Sequence, residues 1–148
     1  MSSPDIKNLK VATFEQWYPL WQGYQNFYQI EIPEEVSEYT WTRLTSDKHP
    51  EFYGFAAFVG SELAGIAHVI EHSNCWTKEP YAYLQDLFVA PKFRQQGIAR
   101  ALMQAIYDQT KSRGCARVWW LTHESNQPAV SLYEEIANRT GFIHFRGF

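Results

Sequence analysis

Cysteine is scarce: Cys75 and Cys115 are the only two in 148 residues. There is no CxxC pair and no histidine spacing of a zinc site, so neither a disulfide framework nor a metal site is signalled, and both thiols are expected to be reduced. No apolar run approaches the ~18 residues that would span a bilayer. The start, "MSSPDIKNLK", lacks the apolar core of a signal peptide. The expectation is a cytoplasmic protein with no membrane partner. A basic excess is missing too: 13 Lys and Arg against 16 Asp and Glu leave a net charge of −3. A protein that displaces counterions from nucleic-acid phosphates normally carries the opposite balance, so no nucleic-acid partner is expected. Repeats, linkers and low-complexity tracts are absent.

What remains is one ordinary domain, 1–148, long enough to hide about 68–70% of its unfolded surface in a single core. Aromatic residues make up 17% of the chain, with six Trp and nine Tyr, enough to line a cleft as well as a core. Weak alternation over 6–12 predicts a first strand. Trp17, Leu20, Trp21, Tyr24, Phe27 and Tyr28 then recur at helical spacing up to Ile30. Pro33 with Glu34 and Glu35 opens a second helix over about 33–46. Two apolar strands, 52–59 and 63–71, are joined at Gly60-Ser61-Glu62, and "YAYLQDLFV" is a third. A helix from Gly97 ends near Arg113-Gly114. "ARVWWLTH" predicts a strand, "NQPAVSLYEEIANRTG" a helix with Asn126 near its cap and Pro128 in its first turn, and "FIHFRGF" a short closing strand. The meander should be antiparallel, and the strand–helix–strand unit from 81 to 122 favours parallel pairing through a right-handed crossover.

The junction "RQQGIAR" at 94–100 is unusually polar for a helix entrance. With one glycine it matches neither the GxGxxG fingerprint nor the GxxxxGK[ST] loop, so nucleoside triphosphates are not indicated. A helix starting here nevertheless leaves about four backbone amides unpaired at the positive end of its dipole, an arrangement that suits a pyrophosphate. Gly97 would let the backbone approach an anion without a Cβ in the way. Ala99 is similarly small, and Arg94 and Arg100 add charge. A plain helix start with a cap-like glycine explains the same residues.

"V-x-P-x-x-R-Q-Q-G-I-A" after an apolar strand resembles the acetyl-CoA motif of the GCN5-related N-acetyltransferases (GNAT), [QR]-x-x-G-x-[GA], with Arg94, Gly97 and Ala99 in the fixed places. Downstream, "THESNQPAVSLYEEI" resembles the second motif of that family, an Asn near a helix start followed seven residues later by Tyr; Asn126 and Tyr133 match, and the Gly-Phe of "TGF" follows. The element order agrees across essentially the whole chain. The pieces "WYPLWQGYQNFYQ", "YLQDLFV", "WLTHE" and "FIHF" look most like the branch that includes yeast histone and polyamine acetyltransferases and bacterial relatives.

The resemblance implies an α+β fold: a central mixed, mostly antiparallel, splayed sheet of about six strands with about four helices. It also implies acetyl-CoA as co-substrate, no metal, an amine acceptor and a homodimer. Backbone of Leu87, Phe88 and Val89 would pair with the pantetheine arm. Amides from Gln95 through Gln96, Gly97, Ile98 and Ala99 to Arg100 would hold the pyrophosphate. Asn126 has two readings, an N-cap and a contact to the cofactor arm. Tyr133 is the implied general acid for the departing thiolate; packing in the stripe of Ala129, Leu132, Ile136 and Ala137 is its structural alternative.

The base is less defined. Relatives carry Glu-Asp on the third meander strand, where this chain has Gln85-Asp86. An amide cannot take a proton, and adjacent strand residues face opposite ways unless a bulge intervenes. Gln85 could position a water, with Asp86, His123 or Glu124 as acceptor; Glu71 and His72 are further candidates. Trp17, Trp21, Tyr24, Tyr28 and Trp41 fall in the region that forms the acceptor wall in relatives. The reading is an acetyl-CoA-dependent N-acetyltransferase acting on a primary amine of a small molecule, polyamine, amino acid or peptide lysine. A non-catalytic acyl-CoA sensor that lost its base at Gln85 is the alternative from another class.

Overall fold

The computed structural model describes residues 3–148. Strand β1 (Asp5–Asn8) leads through a 3-10 turn (Leu9–Val11) into helices α1 (Phe14–Phe27) and α2 (Glu34–Thr45). The meander β2 (Phe52–Val59), β3 (Glu62–His72) and β4 (Tyr81–Val89) follows. A second 3-10 turn (Pro91–Phe93) precedes α3 (Ile98–Ser112), β5 (Arg117–Trp119) and α4 (Gln127–Ile136). The strands form one sheet in the order β1-β2-β3-β4-β5. The first four are antiparallel and the β4–β5 pair is parallel. The mixed sheet and, among the described residues, four helices match expectation; the strand number there is five.

Local chemistry accounts for the elements that position the site. Thr13 and Gln16 close a reciprocal capping box at the start of α1, the Thr13 side chain accepting from the Gln16 amide at 3.1 Å and the Gln16 side chain from the Thr13 amide at 2.9 Å. The sheet has a core on each face. On one, α3 lays Ile98, Leu102, Met103 and Ile106 against Phe55, Ala67, Val69, Ala82 and Leu84, and Tyr133 and Ile136 of α4 join its margin. On the other, Trp17 and Trp21 of α1 and Leu44 of α2 pack on Ala56, Leu63, Ile66 and Phe88. Gly65 lets α3 come close: a Cβ there would meet Ile98 at 3.1 Å and Leu102 at 3.2 Å.

The alternation of β4 breaks once. His68 pairs with Asp86 but Val69 pairs with Leu84, so Gln85 is an extra residue opposite β3. Before this bulge Ala82 and Leu84 belong to the α3 face. After it Leu87 and Val89 do, while Phe88 joins the α1 face. A one-residue insertion inverts the parity of everything that follows it, and here it turns Asp86 and Phe88 toward α1.

Three expected elements differ. The first strand ends at Asn8, whose side chain accepts from the Lys10 amide at 2.9 Å and starts the 3-10 turn instead. The strand expected over "ARVWWLTH" shrinks to Arg117–Trp119, because Trp120 leaves the ladder to pack against Tyr107 and Tyr133. "FIHFRGF" forms no strand. Adjacent Phe142 and Ile143 spoil the alternation a half-buried strand needs, and β5 offers an edge of only three residues to pair with.

Candidate active site

Strand β4 pairs with β5 only through Tyr81, Ala82 and Tyr83. From Leu84 to Val89 it keeps β3 on one edge and, among the described residues, has no strand on the other, so the sheet opens beside Leu87, Phe88 and Val89. The chain then turns at Pro91–Phe93 and enters α3 through two left-handed residues, Gln95 (φ 62°) and Gly97 (φ 79°). Nothing lies within 4 Å of the place a Gly97 Cβ would occupy. No side chain caps α3. Among the described residues, no acceptor meets the six consecutive amides from Gln95 to Arg100; the first bonded amide is that of Ala101, to the Gly97 carbonyl at 3.0 Å. Arg94 lies over the Phe88 ring at 5.3 Å, and its Nε donates to the Val89 carbonyl at 3.1 Å, tying the loop to the end of β4. Gln96 ties it again, donating to the Lys92 carbonyl at 3.3 Å.

The same opening holds Asp86. It is 8% exposed, and its Oδ2 lies 2.9 Å from His68 Nδ1 on the neighbouring strand. His68 is 2% exposed, and its other nitrogen, Nε2, accepts from the Trp17 indole at 2.9 Å. Among the described residues no Lys or Arg pairs with Asp86. Phenols surround the carboxylate instead. Burial and then the Asp86 charge push the Tyr24, Tyr28 and Tyr83 hydroxyls above the ordinary tyrosine range. Tyr133 of α4 lies at the margin of the α3-face core, where burial, then the charge of Tyr28, push its phenol up to about 12. Its ring stands edge-on to Trp120 at 5.2 Å.

The model of the Acetyltransferase (GNAT) family matches residues 14–137. The chain belongs to this family. It is similar to the D-amino-acid N-acetyltransferase HPA3 of Saccharomyces cerevisiae, 29% identical over 95% of this chain and 88% of that one. It is also similar to the thialysine N-epsilon-acetyltransferase of Caenorhabditis elegans, 31% identical over 57% of this chain and 52% of that one. Among solved structures it resembles the aminoglycoside N-acetyltransferase AAC(6')-Iy in complex with CoA, with a TM-score of 0.83 and 20% identity over 100% of this chain and 96% of that one.

In this GNAT chain the expected residues fall into two groups. Leu87, Phe88, Val89 and the run Arg94 to Arg100 are brought together at the sheet opening and the α3 entrance. Arg100 is not free: it pairs with Glu135 of α4. Asn126 stands before α4 but makes no capping bond. Gln85 is exposed on its bulge, and Asp86 is buried.

Of the four other base candidates, three are committed to partners elsewhere. Burial pushes the Glu71 carboxyl up, but bonds from Arg113, Tyr53 and Cys115 outweigh this and hold it below the usual carboxylate range. The two geometric contacts among these are 2.5 Å from Arg113 Nε and 2.6 Å from the Tyr53 hydroxyl. His72 has both nitrogens engaged, Nδ1 with the Ser73 carbonyl and Nε2 with the Trp119 indole. His123 is exposed and bonds Ser125 in its own turn. Glu124 is exposed beside it.

Two residues of the site escaped sequence reasoning, His68 and Tyr83. A lone polar residue inside the apolar "GIAHVI" was the available signal for His68, since a buried histidine must find partners. The expected aromatic wall divides. Trp17 and Trp21 are core, whereas the ladder they begin, stacked Trp21 to Tyr24 at 5.1 Å and tilted Tyr24 to Tyr28 at 4.9 Å, runs out toward Asp86. Trp41 packs on Trp17 at 5.2 Å, away from the opening. Among the described residues no group of three or more His, Cys, Asp or Glu could hold a metal ion, and no helix is long and apolar enough to cross a membrane.

Proposed function

We propose that the whole chain, 1–148, is one N-acetyltransferase domain that moves an acetyl group from acetyl-CoA to a small cationic primary amine by direct attack. One observation carries this reading: a carboxylate without a cation, ringed by phenols, lies at the mouth of a splayed sheet, next to six unpaired amides at a helix entrance. The amides of Gln95 to Arg100 and the α3 dipole suit a pyrophosphate, with Gly97 leaving room for it. The open edge of Leu87, Phe88 and Val89 suits an extended arm that pairs as a strand would, and Asn126 stands near its path.

An amine with a pKa of about 10.4 is less than ~0.1% neutral at pH 7, so freeing its lone pair costs roughly 4–5 kcal/mol. Asp86 takes that proton, and its unpaired charge and the faces of Tyr24, Tyr28 and Tyr83 draw the ammonium in. Gln85, on the bulge, positions a water beside it. The amine nitrogen then bonds to the thioester carbonyl carbon as the C–S bond breaks. Tyr133 donates to sulfur and is reprotonated from the acylated nitrogen. Of the three ammonium protons, one stays on the amide, one ends on the thiol, and one leaves through Asp86 to water.

Thiol release from acetyl-CoA with a panel of polyamines, amino acids of both hands and aminoglycosides tests the reading; the named relatives make each class worth including. Asp86→Asn should lose amine-dependent release while still gaining thermal stability from CoA. Release at the native rate would remove Asp86 from the chemistry. A sensor would be stabilised by CoA and release nothing with any amine.

The acidic balance and the scarcity of cysteine support a cytoplasmic protein with no membrane or nucleic-acid partner. Phe142, Ile143, Phe145 and Phe148 are exposed beyond α4, which supports a homodimer; light scattering after gel filtration gives the mass.

A further inference from the structure

His68 takes no part in the steps above, yet it is among the most buried polar side chains and has a partner on each ring nitrogen. The Trp17 indole N–H can only donate. His68 Nε2, 2.9 Å from it, must therefore accept and carry no proton. The proton of a neutral imidazole then sits on Nδ1, 2.9 Å from Asp86 Oδ2, and it can only donate there. A doubly protonated ring would set two donors, indole and Nε2–H, against each other, so the contact with Trp17 also opposes charging the ring.

We propose that Trp17 and His68 form a positioning relay, in which the indole holds the imidazole as the neutral Nδ1–H tautomer so that it donates to Asp86 and keeps that carboxylate anionic and aimed at the amine. The proposal rests on the reading of Asp86 as the base. Three elements build the relay: α1 supplies Trp17, β3 supplies His68, and the β4 bulge turns Asp86 toward them. The other groups facing Asp86 are Tyr24 and Tyr28 of α1 and Tyr83 of β4. All are neutral phenols whose hydrogen bonds can be given to solvent or substrate. His68 is the one donor whose direction the protein fixes from behind. It is no proton acceptor in the reaction, because its free lone pair is taken by Trp17. A donor to the ionised form of an acid favours that form, so removing it should matter most at low pH.

The test uses two amides that each copy one ring nitrogen. In His68→Asn the side-chain NH2 falls near the position of Nδ1 and can still donate to Asp86. In His68→Gln the amide reaches the position of Nε2, which satisfies Trp17 and leaves Asp86 without its donor. The expected result is that His68→Gln lowers kcat/KM for the amine roughly tenfold or more at pH 7. The acid limb of its pH profile should move to higher pH, with KM for acetyl-CoA unchanged. His68→Asn should keep the native acid limb. Equal acid limbs in the two variants would overturn the relay. Asp86→Asn with native turnover would instead overturn the base assignment. The native protein gives an independent check, since 15N shifts of the His68 ring between pH 6 and 8 should show Nδ1 protonated and Nε2 bare. The opposite tautomer, or an imidazolium, would also overturn it.

Discussion

Replacing Tyr133 by Phe removes one oxygen and leaves a ring of the same shape against Trp120. The edge-on contact at 5.2 Å survives, so stability should change by no more than ~1 kcal/mol. The chemical effect is larger. Burial, then Tyr28, push the phenol up to about 12, whereas an ordinary thiol lies near ~8.5. Handing a proton from this phenol to a finished thiolate would run uphill by roughly 3.5 units, about 5 kcal/mol at ~1.36 kcal/mol per unit. The role proposed for Tyr133 is therefore donation to sulfur while the C–S bond is breaking, with the strongly acidic acylated nitrogen driving the proton through it. Losing a group of this kind typically costs ~10²–10⁴ in rate. The expected outcome for Tyr133→Phe is a fall of that size in kcat, read as thiol release at saturating acetyl-CoA, with little change in the KM for acetyl-CoA. The native enzyme should show no fall between pH 7 and 10 from this group, because a phenol at about 12 stays protonated there. A kcat within threefold of native would refute the assignment.

Gly97→Ala places a Cβ on a residue at φ 79°, which should cost ~1–2 kcal/mol of stability and raise the KM for acetyl-CoA; unchanged melting and KM would show that the entrance is not used. Burial first, and then Asp86 at Tyr24, Glu71 at Tyr53 and Tyr28 at Tyr133, push these three phenols above the ordinary tyrosine range. Their contribution to stability is complete below the unfolded value of ~10 and is lost as pH rises through the raised folded values, so melts should weaken steeply above pH 10 and less so in Tyr53→Phe. Glu71 behaves oppositely. Its folded carboxyl is held down, on balance, by Arg113, Tyr53 and Cys115, so its contribution is present above ~4.5 and lost as pH falls through the lower folded value. Denaturation curves of Glu71→Gln should be less stable at pH 7 and flatter below pH 4.5; the same acid slope as native would refute this.

Much of the helix entrance proposed for acetyl-CoA was legible because its determinants are local. Gly97 and the residues around it specify a helix entrance within a few positions, and the periodicity of Ile98, Leu102 and Ile106 announces the face that α3 buries. The meander was legible for the same reason, through period-two runs and the Gly60 turn. The acceptor side was not. Gln85 and Asp86 are adjacent in sequence, and only the pairing of Leu84 with Val69 and of Asp86 with His68 reveals which of them is turned inward toward α1. The expected last strand failed for a related reason: a strand exists only where a partner edge receives it, and β5 gives three residues.

The amino-acid sequence by itself determined the family, the order of the elements and the helix entrance at Gly97, since each depends on spacing within a turn or two of chain. The tertiary structure decided which carboxylate is buried, what holds it and which phenols face it. A bulge inverts the side-chain parity of a strand, and it can be placed only once the neighbouring strand is aligned beside it.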